Sequence, residues 1–141
     1  MNSTDKVNPP KWFKPVAVLA IAWNTMGLAA FAQQMTMDTG ALPEAQRTFY
    51  ESVPLWATGA FAIAVIFGTL GSIALLLRKR WSVVALALSV IGVVVQMLHS
   101  LLLGDGLAIF GNAALVLPLT TLAVGVALWV LAVSSAKKAW F

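Results

Sequence analysis

Asn24, Gln33, Gln34, Gln96, His99, Asn112 and Thr121 are the side chains of this sequence that could hydrogen-bond a polar solute in otherwise apolar surroundings. Such groups either bridge one helix to another or meet a ligand. His99 is the single histidine, the residue type most used for proton transfer near neutral pH. Proton-coupled work would also need an embedded carboxylate, and Asp5, Asp38, Glu44, Glu51 and Asp105 all fall outside the apolar stretches. A structural or interfacial histidine is the simpler reading. Met35, Met37, Met97 and His99 have the softness of copper(I) ligands, but methionines also fill membrane cores. The chain has no cysteine, which removes thiolate catalysis, iron–sulfur ligation and cysteine-based zinc sites. One histidine is also a poor basis for haem ligation. No acid–base pair, nucleophile–base set, phosphate loop or metal box is present. The sequence therefore predicts no catalytic residue, no metal, no cofactor and no enzyme.

The elements that must position these groups are long and apolar. Of 141 residues, 60% are hydrophobic and 10% charged, with a mean hydropathy of +0.89. Soluble domains carry about 25% charged residues. Four apolar stretches follow one another, over about 12–34, 55–77, 81–103 and 108–133, each long enough to cross a bilayer core as a helix. The expected fold is all-α, a polytopic membrane protein forming one membrane domain over 1–141. Its four transmembrane helices should run up and down as a bundle.

Short connections complete the plan. Residues 1–11 contain Pro9-Pro10 and read as a short mobile tail. Residues 35–54 form the longest loop, where Leu42, Ala45, Phe49 and Val53 share a helical face and Arg47 and Glu51 are an i,i+4 pair. This predicts a short amphipathic helix on the outer membrane surface, ended by Pro54. Arg78-Lys79-Arg80 makes a tight turn between the second and third spans, and Gly104-Asp105-Gly106 an outer turn before the fourth. Lys11 and Lys14 before an apolar run ending in Ala30-Phe31-Ala32 also fit a cleavable signal peptide. That run is long for one, which favours retention. The pair Arg78-Lys79-Arg80-Trp81 and Lys137-Lys138-Ala139-Trp140 suggests a duplicated hairpin, although any cytoplasmic helix end favours basic residues beside tryptophan.

Eight of the nine Lys/Arg residues fall in the N-terminal segment, the basic turn and the C-terminal segment, so the positive-inside rule predicts both termini in the cytoplasm. The same clustering at helix ends points away from nucleic acid. Helices in lipid are not driven together by a hydrophobic force, so small and polar residues mark their buried faces. The second span carries Ala60, Ala64, Gly68 and Ser72 at every fourth position, a ridge for close packing against a neighbour in this chain or in another copy. Ala85, Ser89, Gly92, Gln96 and His99 share one face of the third span. At 1.5 Å per residue, Gln96 lies about 22 Å and His99 about 27 Å from the basic turn. The polar stripes are expected to converge in the outer half, either around a shallow cavity or as direct bridges.

Trp23-Asn24 with Gly27, Leu42-Pro43-Glu44-Ala45-Gln46-Arg47, Tyr50-Glu51, Pro54-Leu55-Trp56, Gly68, Leu75-Leu76-Leu77-Arg78-Lys79 and Gln96-Met97 together resemble a family of small four-span bacterial inner-membrane proteins often labelled as sugar transporters. The resemblance runs from about residue 12 to 132 and implies solute transport, with no family residue of defined role to carry over. A transport-related protein whose polar cluster meets a small polar solute is one expectation. A non-catalytic accessory subunit, packing against itself or a larger membrane complex in the bilayer, is the other. Reporter fusions should read cytoplasmic after Lys79 and periplasmic near Glu44; reversed signals would overturn the orientation.

Overall fold

The computed structural model describes residues 6–141 of the chain. Its α-helices are α1 (Phe13–Thr36), α2 (Glu44–Glu51), α3 (Leu55–Leu76), α4 (Ser82–Leu98), α5 (Gly106–Phe110) and α6 (Ala113–Lys137), with a 3₁₀ turn at Thr39–Ala41 and a π turn at His99–Leu103. No strand occurs among the described residues, so the fold is all-α. Four helical segments are long and apolar enough to span a membrane: Phe13–Thr36, Leu55–Leu76, Ser82–Leu103 and Ala113–Lys137. They alternate in direction, so the basic turn, the N-terminal segment and the C-terminal segment share one end. The short helices α2 and α5 cover the other. Glu44 lies in the first turn of α2, where a carboxylate complements the helix dipole. Phe49 is its one buried residue, the anchor of an amphipathic face.

The bundle is built on α3. In its apolar window 44% of residues are buried, against 11% in α1 and in α6, so α3 is the spine, with α1 packed on its flank and α6 on that of α4. Ala60, Ala64, Gly68 and Ser72 are all buried, and their neighbours belong to this same chain. Gly92 of α4 meets the ridge at backbone distance. A Cβ there would stand 2.7 Å from the Ala60 carbonyl oxygen and 2.8 Å from the Ala64 nitrogen. Ser89 donates to the Ala64 carbonyl at 2.6 Å. On the α1 side, the Asn24 amide donates to Ser72 Oγ at 3.1 Å and to Ala20 O at 2.9 Å. Small residues thus admit both neighbours closely, and hydroxyls and an amide stitch them where the only alternative partner is lipid.

The end opposite the basic turn departs from the sequence-based expectation. The fourth span begins at Ala113, not near 108, because Gly106–Phe110 forms a separate short helix. Asp105 (φ 55°) and Gly111 (φ 63°) break the chain on either side of it. Glycine suits the second break because it adopts φ > 0 without a Cβ penalty. Gly106 is needed for another reason: a Cβ there would overlap the Ser100 carbonyl oxygen.

The basic end also corrects the reading of residues 1–11 as a mobile tail. Residues 1–5 lie outside the described residues, but the segment that follows them is held. Val7 N–H donates to Ala139 O at 2.7 Å. Arg78 donates through Nε to Trp140 O at 2.6 Å and through Nη2 to Val7 O at 2.9 Å, tying both chain ends to the α3–α4 turn. Trp140 packs edge-on against Trp12 at 6.0 Å and against Phe13 at 5.6 Å. Phe13, Ala17 and Ala20 of α1 join Leu128, Ala132, Trp140 and Phe141 in one buried cluster.

Gly59 tests the spine by contrast, because a Cβ there meets nothing within 4 Å. Gly68→Leu should cost about 1–3 kcal/mol of stability, as overpacking does, since even a Cβ at Gly68 overlaps the Asn24 amide oxygen. Gly59→Ala and Ile66→Leu should leave the melting temperature in detergent unchanged within error. Equal melting temperatures for all three variants would show that the ridge is not a packed seam.

Candidate functional site: a cavity between the outer helices

Because α1 and α6 each lean on the α3–α4 pair, they face one another across a gap. At the basic end their side chains close it through the Phe13, Ala17, Leu128 and Ala132 cluster. Beyond that level a cavity of about 370 Å³ opens. Its walls are Trp23, Asn24 and Gly27 of α1 and Pro118, Thr121 and Val124 of α6, over a floor of α3 and α4 that includes Phe61, Ser89 and Gln96. Along α4 the lining runs from Leu86 to Ser100, about 21 Å at 1.5 Å per residue. Among the described residues no helix lies over the side between α1 and α6, the side that acyl chains would meet in a bilayer.

Three of the predicted polar residues, Asn24, Gln96 and Thr121, do meet on this cavity. The other four do not. Gln33 is exposed and Gln34 half-buried, and neither amide lines the cavity. Asn112 is exposed at the break before α6. His99 is buried, but in a different place. Its ring lies 5.6 Å from Trp56, nearly perpendicular, and 6.1 Å from Phe49 of α2. Gly104 closes the pocket, since a Cβ there would be 3.0 Å from His99 Cε1. The histidine is thus the centre of an aromatic cluster that fastens α2 over the bundle. Met97 lines the cavity while Met35 is half exposed at the end of α1, so the soft-ligand candidates stand in different surroundings.

The lining is apolar with few polar groups, and most of those are already engaged. Asn24 donates to Ser72 and Ala20, Ser89 to Ala64, and Thr121 to Leu117 O within its own helix at 2.9 Å. Among the described residues, these bonds leave the Gln96 amide and the Ser100 hydroxyl as the lining side chains that keep both a donor and an acceptor for a guest. Pro118 also deprives the Ala114 carbonyl of its helical donor. Pro118 and Gly125 line the wall with Thr121, as their shared helical face suggests, whereas sequence reasoning missed Trp23 and Phe61, large apolar residues for which helical spacing carries no signal.

Among the described residues no group of three or more His, Cys, Asp or Glu side chains is placed to hold a metal. Comparison of the chain with protein-family models, with curated proteins and with solved structures finds no match.

Proposed function

We propose that this is a transport-related integral membrane protein whose cavity takes a small amphipathic molecule, apolar over most of its surface and with one polar group, from the bilayer. The observation that carries this reading is the Gln96 amide, unengaged among the described residues on a mostly apolar wall of a cavity that opens between α1 and α6. A ligand entering there would bury its apolar body between Trp23, Phe61 and Val93 and bond its polar group to Gln96. Small-molecule sites have this composition: mostly apolar, with a few placed polar groups.

A sugar, the solute class implied by the sequence resemblance, fits this inventory less well. Each buried hydroxyl left without a partner costs about 1–3 kcal/mol, and Asn24, Ser89 and Thr121 already spend their donors within the protein. The charge distribution supports a cytoplasmic location for both termini, and the resemblance supports a bacterial inner membrane. Four spans make too thin a bundle to enclose a complete alternating-access path, so movement of a solute would require self-association or a larger complex. A second reading, an accessory subunit, is favoured by the same lateral mouth, which a helix of a partner could fill.

Thermal-shift titration of the purified protein against free sugars and single-headed amphipaths such as farnesol and decanol separates these readings. The expected result is stabilisation by an amphipath in the wild type and none in Gln96→Leu, itself about 0.5–2 kcal/mol from wild type in stability as for a single membrane hydrogen bond. A response to sugars alone would overturn the amphipath in favour of a polyhydroxy solute. No response to either class would favour the accessory role.

A further inference from the structure

Eight cations gather at one end of the molecule: Lys6, Lys11, Lys14, Arg78, Lys79, Arg80, Lys137 and Lys138. The described carboxylate side chains, Asp38, Glu44, Glu51 and Asp105, all stand in the connections at the opposite end. Orientation during membrane insertion depends on how many cations a segment carries, not on how they are arranged after folding. Here they are arranged. Arg78 binds the backbone of both chain ends, which draws the N-terminal and C-terminal lysines beside the basic turn. Lys138 Nζ sits 5.0 Å over the Trp140 ring, and Trp140 abuts Trp12. Trp12 is 50% exposed and Trp81 49%, so indoles flank the cations at the level where headgroups lie.

We infer that this end is a binding surface for the headgroup phosphate of anionic phospholipids, with Lys79, Lys137 and Lys138 as its principal ligands and Trp12 and Trp81 as its interfacial anchors. Charge complementarity selects the occupant: a cationic patch with no acidic side chain among its described neighbours, at headgroup depth, next to half-exposed indoles. Arg78 is the positioning residue, since two of its donors are committed to Trp140 O and Val7 O. The surface is independent of the cavity, which begins beyond the buried Phe13 and Leu128 cluster.

Native mass spectrometry of the protein in detergent, titrated with phosphatidylglycerol or phosphatidylcholine of the same chains, tests this directly. Phosphatidylglycerol should be retained at lower concentration, and the preference should fall about fivefold for each lysine removed, the fold-change expected of a cation at an anionic surface. The variant Lys79→Gln/Lys137→Gln/Lys138→Gln should lose the preference. Lys79→Arg/Lys137→Arg/Lys138→Arg and Arg47→Gln, at the opposite end, should keep it. If the glutamine variant fails to fold, the wild type at 0.5 M salt replaces it, where screening over about 4 Å should remove the preference. Equal retention of the two lipids by the wild type, or an undiminished preference after the lysines are neutralised or screened, would show that the cations serve insertion alone. Displacement of phosphatidylglycerol by millimolar inorganic phosphate would overturn the lipid in favour of a small-anion site.

Discussion

Everything in this molecule hangs on how closely α4 approaches α3. In a bilayer, lipid tails are as apolar as leucine, so helices gain nothing by hiding from solvent and must associate through packing and hydrogen bonds. Gly92 lets α4 rest on the backbone of Ala60 and Ala64, and the Ser89 hydroxyl closes on the Ala64 carbonyl at the same level. One turn further, Gly68 gives the Asn24 amide room to lie against α3 and reach Ser72. This seam fixes α3 and α4 as a rigid pair. The outer helices take what surface the pair offers: α1 the flank with Gly68 and Ser72, α6 the flank of α4 where Gly125 meets Val90.

The cavity follows from that arrangement. Two helices packed on opposite flanks of a tight pair need not touch, and here they touch only where bulky side chains bridge them. Phe13, Leu128, Trp140 and Phe141 do so at the basic end, reinforced by the Arg78 bonds to both chain ends. At the other end no comparable bridge joins α1 and α6, and the aromatic cluster of Phe49, Trp56, His99 and Phe110 is spent on fastening α2 and α5. Chain closure at one end and separation at the other give a wedge whose wall carries Gln96. The same closure collects the lysines, so the cavity and the cationic surface are two consequences of one packing scheme.

The seam was legible in the sequence because its signal is steric and periodic: small residues at every fourth position can only mean close approach. Asn24, Gln96 and Thr121 were legible for the same reason, lying on the faces that the small residues mark. Gln33, Gln34 and Asn112 lie apart from the cavity, which helical phase does not reveal, since it tells which way a side chain points but not whether a neighbour reaches that height. His99 does follow Gln96 by three residues, yet α2 folds back over that end and Phe49 and Trp56 take the imidazole. The break at Gly111 and the π turn after Leu98 interrupt an apolar run with no change in composition. The Arg78 bonds were out of reach altogether, since a guanidinium that binds backbone carbonyls of distant segments leaves no pattern in the chain.

Helices α1 and α6 meet at the basic end and part beyond it. The chain has no cysteine, so pairs of introduced cysteines carry the only spin labels, and distances can be read by pulsed electron paramagnetic resonance in lipid nanodiscs. The informative pairs are Lys14 with Val133 near the basic end and Ala30 with Leu117 across the cavity mouth. The second pair should give a longer and broader distance distribution than the first. Equal, narrow distributions at both levels would mean that the helices run together along their length, and the cavity, with the function assigned to it, would be gone.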